Sequence, residues 1–214
     1  MEIYDTDDEL DIVKKWFIEN GRAALIGLII GIACIVGWNG WQNYKNNRGK
    51  EAADFFQELL KISDKDQSDS LLNFAKRIQS DYAGSTYANY AGFFLAKLAV
   101  ETGKFDEARK ELERIVANSS DSSIKNIARL RLLRILLDQG KAQEALDLVN
   151  RAGVSINGKF EAAYDELKGD AHVALGQERE ARSVYQRAVE LGRKSTLLDL
   201  KISDLPVPEA PQAP

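Results

Sequence analysis

Few side chains in this sequence are of the types that catalysts and metal centres need. The chain has one Cys and one His, Cys34 and His172, which is too few for a disulfide scaffold, a zinc finger or most metal sites with His or Cys ligands. Cys34 lies inside a long apolar run, where a thiol behaves as a small hydrophobic side chain. His172 has helical spacing with Gly169 and Leu175, which favours a packed or hydrogen-bonded histidine over a catalytic one. We also find no phosphate-binding glycine loop and no nucleophile elbow. The sequence therefore predicts a non-enzymatic protein with no cofactor and no metal. A hydrolase whose carboxylate pair is assembled by folding stays as an alternative.

Composition and charge indicate a helical globular protein. Of the 214 residues, 44% are hydrophobic and 29% are charged, which excludes an intrinsically disordered chain. All four prolines follow residue 205, so the preceding chain lacks this helix breaker. Residues 1–22 carry seven acidic and three basic side chains, residues 23–44 carry none, and residues 45–214 carry 26 of each sign. A neutral main domain has no basic surface for phosphate backbones, which argues against nucleic-acid binding.

Residues 23–44 form a long uncharged run. As a helix they measure about 33 Å, enough to cover a hydrocarbon core of about 30 Å. Trp16 precedes the run and Trp38 and Trp41 end it, which is typical of side chains at a membrane interface. A cleaved signal peptide would need small residues where Trp-Asn-Gly-Trp stands, and a lipoprotein signal at Cys34 lacks the expected leucine. We predict one transmembrane helix in a lipid bilayer.

The span and its flanks support two further predictions but leave the orientation of the helix open. Three basic side chains stand on each side, so charge alone does not set the orientation. Gly27 and Gly31 form a small-xxx-small pair that would let another helix approach closely, although glycine is also simply common in membrane helices. Ahead of the span, Thr6-Asp7-Asp8-Glu9 resembles a capping box. It predicts a short amphipathic helix on the membrane surface within residues 1–22.

A glycine followed five residues later by an alanine recurs three times within residues 85–195, at Gly103/Ala108, Gly140/Ala145 and Gly176/Ala181. Four residues after each alanine stands a larger apolar side chain: Leu112, Val149 and Tyr185. The glycine can adopt the left-handed conformation that ends a helix. The alanine lets the next helix approach closely, and the larger side chain fills the gap between the two. Each unit therefore predicts a helical hairpin that must stack on its neighbours.

This spacing resembles the tetratricopeptide repeat, with departures. The glycines are 37 and 36 residues apart, longer than the usual period of about 34, and the closing proline is absent. We predict an all-α protein in which a single transmembrane helix is followed by a tetratricopeptide-like solenoid of three helical hairpins. Helices near 49–62 and 69–80 precede the hairpins, and residues 196–203 cap them. The predicted segments are an amphipathic tail (1–22), the transmembrane helix (23–44), the repeat domain (45–205) and a disordered proline-rich tail (206–214).

Binding without chemistry is the task that such an array favours. The stacked first helices of the hairpins would line a concave groove that holds an extended segment or a partner's surface. The phase of the repeat predicts the inward-facing residues, and packing or solvated side chains are the alternative at each position. They are Tyr90, Phe93, Lys97, Leu130, Arg134, Glu166 and Asp170.

Nearly the full length of the chain resembles the YfgM family, the ancillary subunits of the bacterial SecYEG translocon. The resemblance is carried by the opening Met1-Glu2-Ile3-Tyr4, the run from Trp16 to Gly21, Gly37-Trp38 at the end of the span, and Ala181-Arg182-Ser183 in the last repeat. The proline-rich ending is a departure from the family pattern.

This resemblance implies a bacterial inner-membrane protein with a cytoplasmic N-terminus and a periplasmic repeat domain. It further implies association with SecYEG and with the membrane-anchored chaperone PpiD, and help in passing newly exported polypeptides to periplasmic folding factors. A scaffold of the same architecture in another cell-envelope complex, such as the cell-wall or division machinery, is the alternative. The repeat pattern fits both roles equally well.

Overall fold

The computed structural model describes residues 6–63, 68–152 and 158–206. These residues form nine α-helices and no β-strand, so the predicted all-α fold class is confirmed. Residues 207–214 of the predicted tail (206–214) lie outside what the structure describes, as do the side chains of Thr6 to Glu9, which would form the capping box. The helices are α1 (Thr6–Ser63), α2 (Ser68–Asp81), α3 (Thr86–Glu101), α4 (Phe105–Asn118), α5 (Ser122–Asp138), α6 (Ala142–Ala152), α7 (Gly158–Ala174), α8 (Glu178–Glu190) and α9 (Thr196–Ser203).

The chain divides into two compact units, one ending at Glu51 and the other beginning at Ala52. The first unit holds most of α1, which contains a helical stretch long and apolar enough to cross a membrane. The most apolar part of this stretch has a mean hydropathy of 2.0, and none of it is buried against protein. At the end of the apolar run, the rings of Trp38 and Trp41 lie 5.3 Å apart, and Lys45 Nζ is 4.7 Å from the Trp41 ring centre. This apolar helix fits a membrane anchor.

Two segments expected as separate helices are parts of α1. The lead-in before the span and the helix near 49–62 both continue the span without a break. Gly21 and Gly49 are the residues of low helix propensity at the two junctions. One glycine costs only about 1 kcal/mol in a helix, and no proline interrupts the hydrogen bonds. The prediction near 69–80 is confirmed by α2.

Glycines end the helices of the second unit as the repeat pattern predicts. Gly103, Gly140 and Gly176 have φ angles of 72°, 71° and 71°. After each glycine the next amide donates to the carbonyl five residues back, as Lys104 N does to Ala99 O at 2.7 Å. This is the Schellman ending, which requires a left-handed residue. The three predicted hairpins are therefore α3–α4, α5–α6 and α7–α8.

Close approach within the hairpins depends on small residues. The alanines of the repeat, Ala108, Ala145 and Ala181, are buried. Gly169 of α7 lies against the ring of Tyr185 in α8, and a β-carbon added to Gly169 would lie 2.2 Å from Tyr185 Cε1. Tyr185 therefore fills the gap that the small residue leaves open, as the repeat pattern predicts for this hairpin.

The second unit is closed at both ends by additional helices. Leu59 of α1 packs with Leu71, Ile78 and other residues of α2 and with α3, which covers the start of the array. At the other end, Leu198 of α9 is fully buried against α8. This agrees with the predicted cap at 196–203. Between the two ends, the main core runs from α3 to α7.

Candidate partner-binding groove

A cavity of about 810 Å³ opens between α3 and α5, the first helices of two successive hairpins. The intervening helix α4 packs against both of them and contributes the buried side chain of Leu112 to the lining. The volume lies within the range of pockets that bury small ligands, and the lining is mainly apolar, as such pockets are. The lining residues are Phe56, Tyr90, Phe93, Phe94, Ala96, Lys97, Val100, Glu101, Leu112, Ile127, Arg131, Arg134, Ile135 and Asp138.

Aromatic rings form one end of this groove. The Phe56 ring lies 5.7 Å from the ring of Tyr90 and 5.7 Å from the ring of Tyr87, and the two tyrosines meet edge to face at 6.0 Å. These separations are those of favourable aromatic pairs. Tyr90 nevertheless remains 40% exposed. The cluster is therefore fixed in place while it still offers an apolar surface to solvent.

Cations form the other end of the groove. The guanidinium of Arg131 lies over the Phe93 ring, 4.5 Å from its centre, and Lys97 Nζ lies 5.9 Å from the centre of the Phe94 ring. Lys97 is also 3.5 Å from the Glu101 carboxylate. Burial lowers the pKa of Arg131, and the neighbouring charge of Arg134 lowers it further. Two exposed guanidiniums, three residues apart on α5, thus line an apolar cavity.

Four of the seven predicted groove residues line this cavity: Tyr90, Phe93, Lys97 and Arg134. Leu130 does not, because it is 8% exposed and packs in the main core. Glu166 and Asp170 are not in the lining either. They lie on α7, where side chains from the C-terminal end of the chain reach them.

Glu166 and Asp170 are engaged in ion pairs with basic side chains that follow α8. Arg193 donates a hydrogen bond to Glu166, and Lys201 of α9 lies 3.2 Å from Glu166 and 2.7 Å from Asp170. The Tyr185 hydroxyl donates to Asp170 Oδ1 at 2.6 Å. Burial alone would raise the pKa of Glu166, but the hydrogen bonds from Arg193 and Lys201 outweigh it and lower that pKa. These carboxylates hold the cap on the array and leave the open groove to α3 and α5.

Several residues of the groove lie outside the positions predicted from the repeat phase. Phe56 was missed because it belongs to the end of α1, outside the repeat. Phe94 and Arg131 adjoin predicted positions along their helices, and the spacing of four residues between Tyr90 and Phe94 and between Ile127 and Arg131 was the available signal. Each helix therefore lines the groove with more than one residue per turn.

Gly27, Gly31 and His172, the other positions singled out in the sequence, do not line the groove. A β-carbon added to Gly27 or Gly31 would meet no atom within 4 Å, so the face of α1 that they share is open to a neighbouring helix. His172 Nδ1 lies 2.6 Å from Gln177 Oε1, in agreement with a hydrogen-bonded histidine, although the side chain is only partly buried. Among the described residues, no three His, Cys, Asp or Glu side chains are grouped to hold a metal ion.

Comparison with known proteins connects this architecture to a family. The sequence model of the tetratricopeptide repeat-like domain family matches residues 14–207. A protein of Escherichia coli named ancillary SecYEG translocon subunit is 27% identical over 97% of this chain and 100% of its own length. Proteins of the same name from Haemophilus influenzae and Neisseria gonorrhoeae are 25% and 26% identical over 93% and 92% of this chain and over 97% and 95% of their own lengths. The resemblance drawn from the sequence is confirmed by these relatives.

Proposed function

We propose, because the chain belongs to the tetratricopeptide repeat-like domain family, that it is a non-enzymatic, membrane-anchored adaptor associated with a SecYEG translocon. The relatives that bear the translocon name match it over nearly all of its length. Within the family, repeats of this kind bind partners through stacked helices and need no reactive side chain. The observation that carries the proposal is the open groove between α3 and α5, which combines the exposed ring of Tyr90 and partly buried phenylalanines with cations.

The orientation follows from the same proposal. Residues 1–22 lie in the cytoplasm, residues 23–44 cross the inner membrane, and residues 45–205 form the periplasmic domain. Long domains are exported largely regardless of flanking charge, so the equal numbers of basic residues at the two ends of the span do not oppose this arrangement. Protease added to spheroplasts should digest the repeat domain and leave the N-terminal tail protected. Protection of the repeat domain would overturn the proposal.

In this arrangement the domain receives newly exported polypeptides and passes them to periplasmic chaperones such as PpiD. The groove supports this role because its aromatic end offers apolar surface to an unfolded segment. The groove is lined by apolar, aromatic and charged side chains together. Such a lining suits segments of different sequence, as an adaptor for many polypeptides needs.

Site-specific photocrosslinking tests the adaptor role directly. A photoreactive amino acid is placed at Lys97 or Arg134, both of which line the groove. The matched control is Arg179, an exposed cation on α8 outside the groove. We expect crosslinks to SecYEG, PpiD or exported chains from the two groove positions, above the level at Arg179. Equal yields at all three positions would contradict a role for the groove, and the absence of SecYEG and PpiD from gently solubilised complexes would contradict the adaptor role itself.

A further inference from the structure

The charges at the basic end of the groove do not cancel. Three cations line the cavity, Lys97, Arg131 and Arg134, together with two carboxylates, Glu101 and Asp138. Lys97 is paired with Glu101. Among the described residues, no carboxylate oxygen lies within 4.0 Å of the guanidinium of Arg131 or Arg134. The described lining therefore carries one more positive than negative side chain.

The two arginines are exposed side chains that stand three residues apart on α5. The guanidinium carbon of Arg131 lies over the Phe93 ring, 4.5 Å from the ring centre. Arg134 follows one turn later on α5 and lowers the pKa of Arg131. Like charges held together at an apolar surface repel each other, and a bound anion relieves that repulsion.

We propose that the groove between α3 and α5 binds extended polypeptide segments that carry a carboxylate beside apolar or aromatic side chains. The carboxylate lies between Arg131 and Arg134, and the apolar side chains lie along Phe94, Val100 and the ring of Tyr90. Guanidinium groups suit this task because their N–H groups match the two oxygens of a carboxylate. The proposal rests on the adaptor function and defines the chemical class of segment that the adaptor accepts.

Two sources can supply such a carboxylate, an acidic side chain within a segment or a free C-terminus. Three labelled ten-residue peptides separate them, each with the same aromatic residues. The first has an internal glutamate and an amidated C-terminus, the second has glutamine in place of the glutamate, and the third is the glutamine peptide with a free C-terminal carboxylate. Binding is measured by fluorescence anisotropy with the full chain in nanodiscs of neutral lipid.

We expect the glutamate peptide to bind about tenfold more tightly than its glutamine twin, as for a charge-assisted hydrogen bond. Tighter binding of the third peptide than of the second would instead place the C-terminal carboxylate in the groove. Equal binding of all three peptides, or binding of none, would overturn the proposal. The co-purification of SecYEG is a separate readout, so an adaptor with a different ligand class is distinguished from a protein that is no adaptor.

Two variants of opposite sign test the site. The double variant Arg131→Gln/Arg134→Gln should abolish the preference for the carboxylate and keep the weaker binding of the glutamine peptide. Asp138→Asn removes the carboxylate that faces the same cavity and should strengthen binding of the glutamate peptide by about threefold, as for an exposed charge pair. Arg179→Gln, which removes a positive charge outside the groove, should change neither value. A preference that survives in the double variant, or that Arg179→Gln reduces equally, would refute the assignment. Matched thermal unfolding curves show that each variant is folded.

Discussion

The contact between Gly169 and Tyr185 provides the sharpest test of how the last hairpin is packed. A β-carbon added to Gly169 would lie 2.2 Å, 2.4 Å and 2.8 Å from three atoms of the Tyr185 ring. Ordinary contacts of a β-carbon begin near 3.4 Å, so Gly169→Ala must displace the ring by about 1 Å. Tyr185 is 1% exposed and its hydroxyl is bonded to Asp170, which leaves the ring little room to move.

The expected loss of stability in Gly169→Ala follows from two unfavourable effects and one favourable effect. Overpacking a tight core costs about 1–3 kcal/mol. Loss of the hydrogen bond from the Tyr185 hydroxyl to the Asp170 carboxylate costs about 1.5–3 kcal/mol. Alanine returns about 1 kcal/mol because it favours a helix over glycine. We expect the variant to lose about 1.5–5 kcal/mol of its free energy of unfolding, which lowers the melting temperature by roughly 3–20 °C for a chain of this size.

Urea unfolding of the full chain in micelles, followed by circular dichroism, measures this loss. Gly158→Ala is the matched control, since it makes the same change in the same helix at a position where an added β-carbon meets no atom within 4 Å. Its effect should stay below about 0.5 kcal/mol. In a Tyr185→Leu background, Gly169→Ala should cost little, because the colliding ring is gone. A Gly169→Ala variant as stable as the parent, or an equal loss in both backgrounds, would refute the packing argument.

The remaining predictions concern the turns, the acid stability and the membrane helix. Gly140→Ala places a side chain at a φ of 71° and should destabilise the protein by about 1 kcal/mol in the same unfolding assay. Folding lowers the pKa of Glu166, so its stabilising contribution is present above the unfolded pKa of about 4.3 and is lost as the pH falls through the folded value. Glu166→Gln should therefore be less stable at neutral pH and lose less stability than the parent on acidification below about pH 5, measured by urea unfolding at each pH. If Gly27 and Gly31 contact a translocon helix, replacing both by leucine should reduce the SecYEG that co-purifies, whereas Gly37→Leu should not.

Each of these predictions has a contrary result. An unchanged midpoint for Gly140→Ala would show that the turn tolerates a β-carbon. Parallel acid unfolding curves for the parent and Glu166→Gln would mean that this carboxylate has the same pKa in both states. Equal loss of SecYEG from the Gly37→Leu control would show that bulk anywhere on the span, and not a specific helix face, weakens the complex.

The architecture could be predicted from the sequence where a local rule sets the structure. The glycines at 103, 140 and 176 end helices because each adopts a left-handed conformation. Their amides and those that follow them then form the same hydrogen bonds in every hairpin. The limits of α9, Thr196–Ser203, match the predicted cap because Ser195 caps the helix and accepts a hydrogen bond from Leu198 N at 3.0 Å. Both are short-range interactions that three or five neighbouring residues determine.

The candidate site could be predicted only in part, because it depends on contacts between distant helices. The repeat phase placed Tyr90, Phe93 and Lys97 on the face of α3 that lines the cavity, but extending that phase to α7 did not anticipate that Lys201 would pair with Glu166 and Asp170. Sequence spacing identifies a helix face and does not reveal which later element will cover it. The continuity of α1 was missed for a related reason, since a glycine that weakens a helix does not by itself end it.

The end cap α9 has a consequence for how molecules of this chain behave toward one another. Leu198 and Leu205 cover Ala181, Tyr185 and Ala188 at the last hairpin. A hairpin array without α9 presents a surface of the kind on which the next repeat stacks, while the end of α1 and α2 still cover the start of the array. A chain truncated before Thr196 is therefore expected to pair with a second copy through this one exposed surface, and because the contact uses the same patch on both molecules it closes as a dimer.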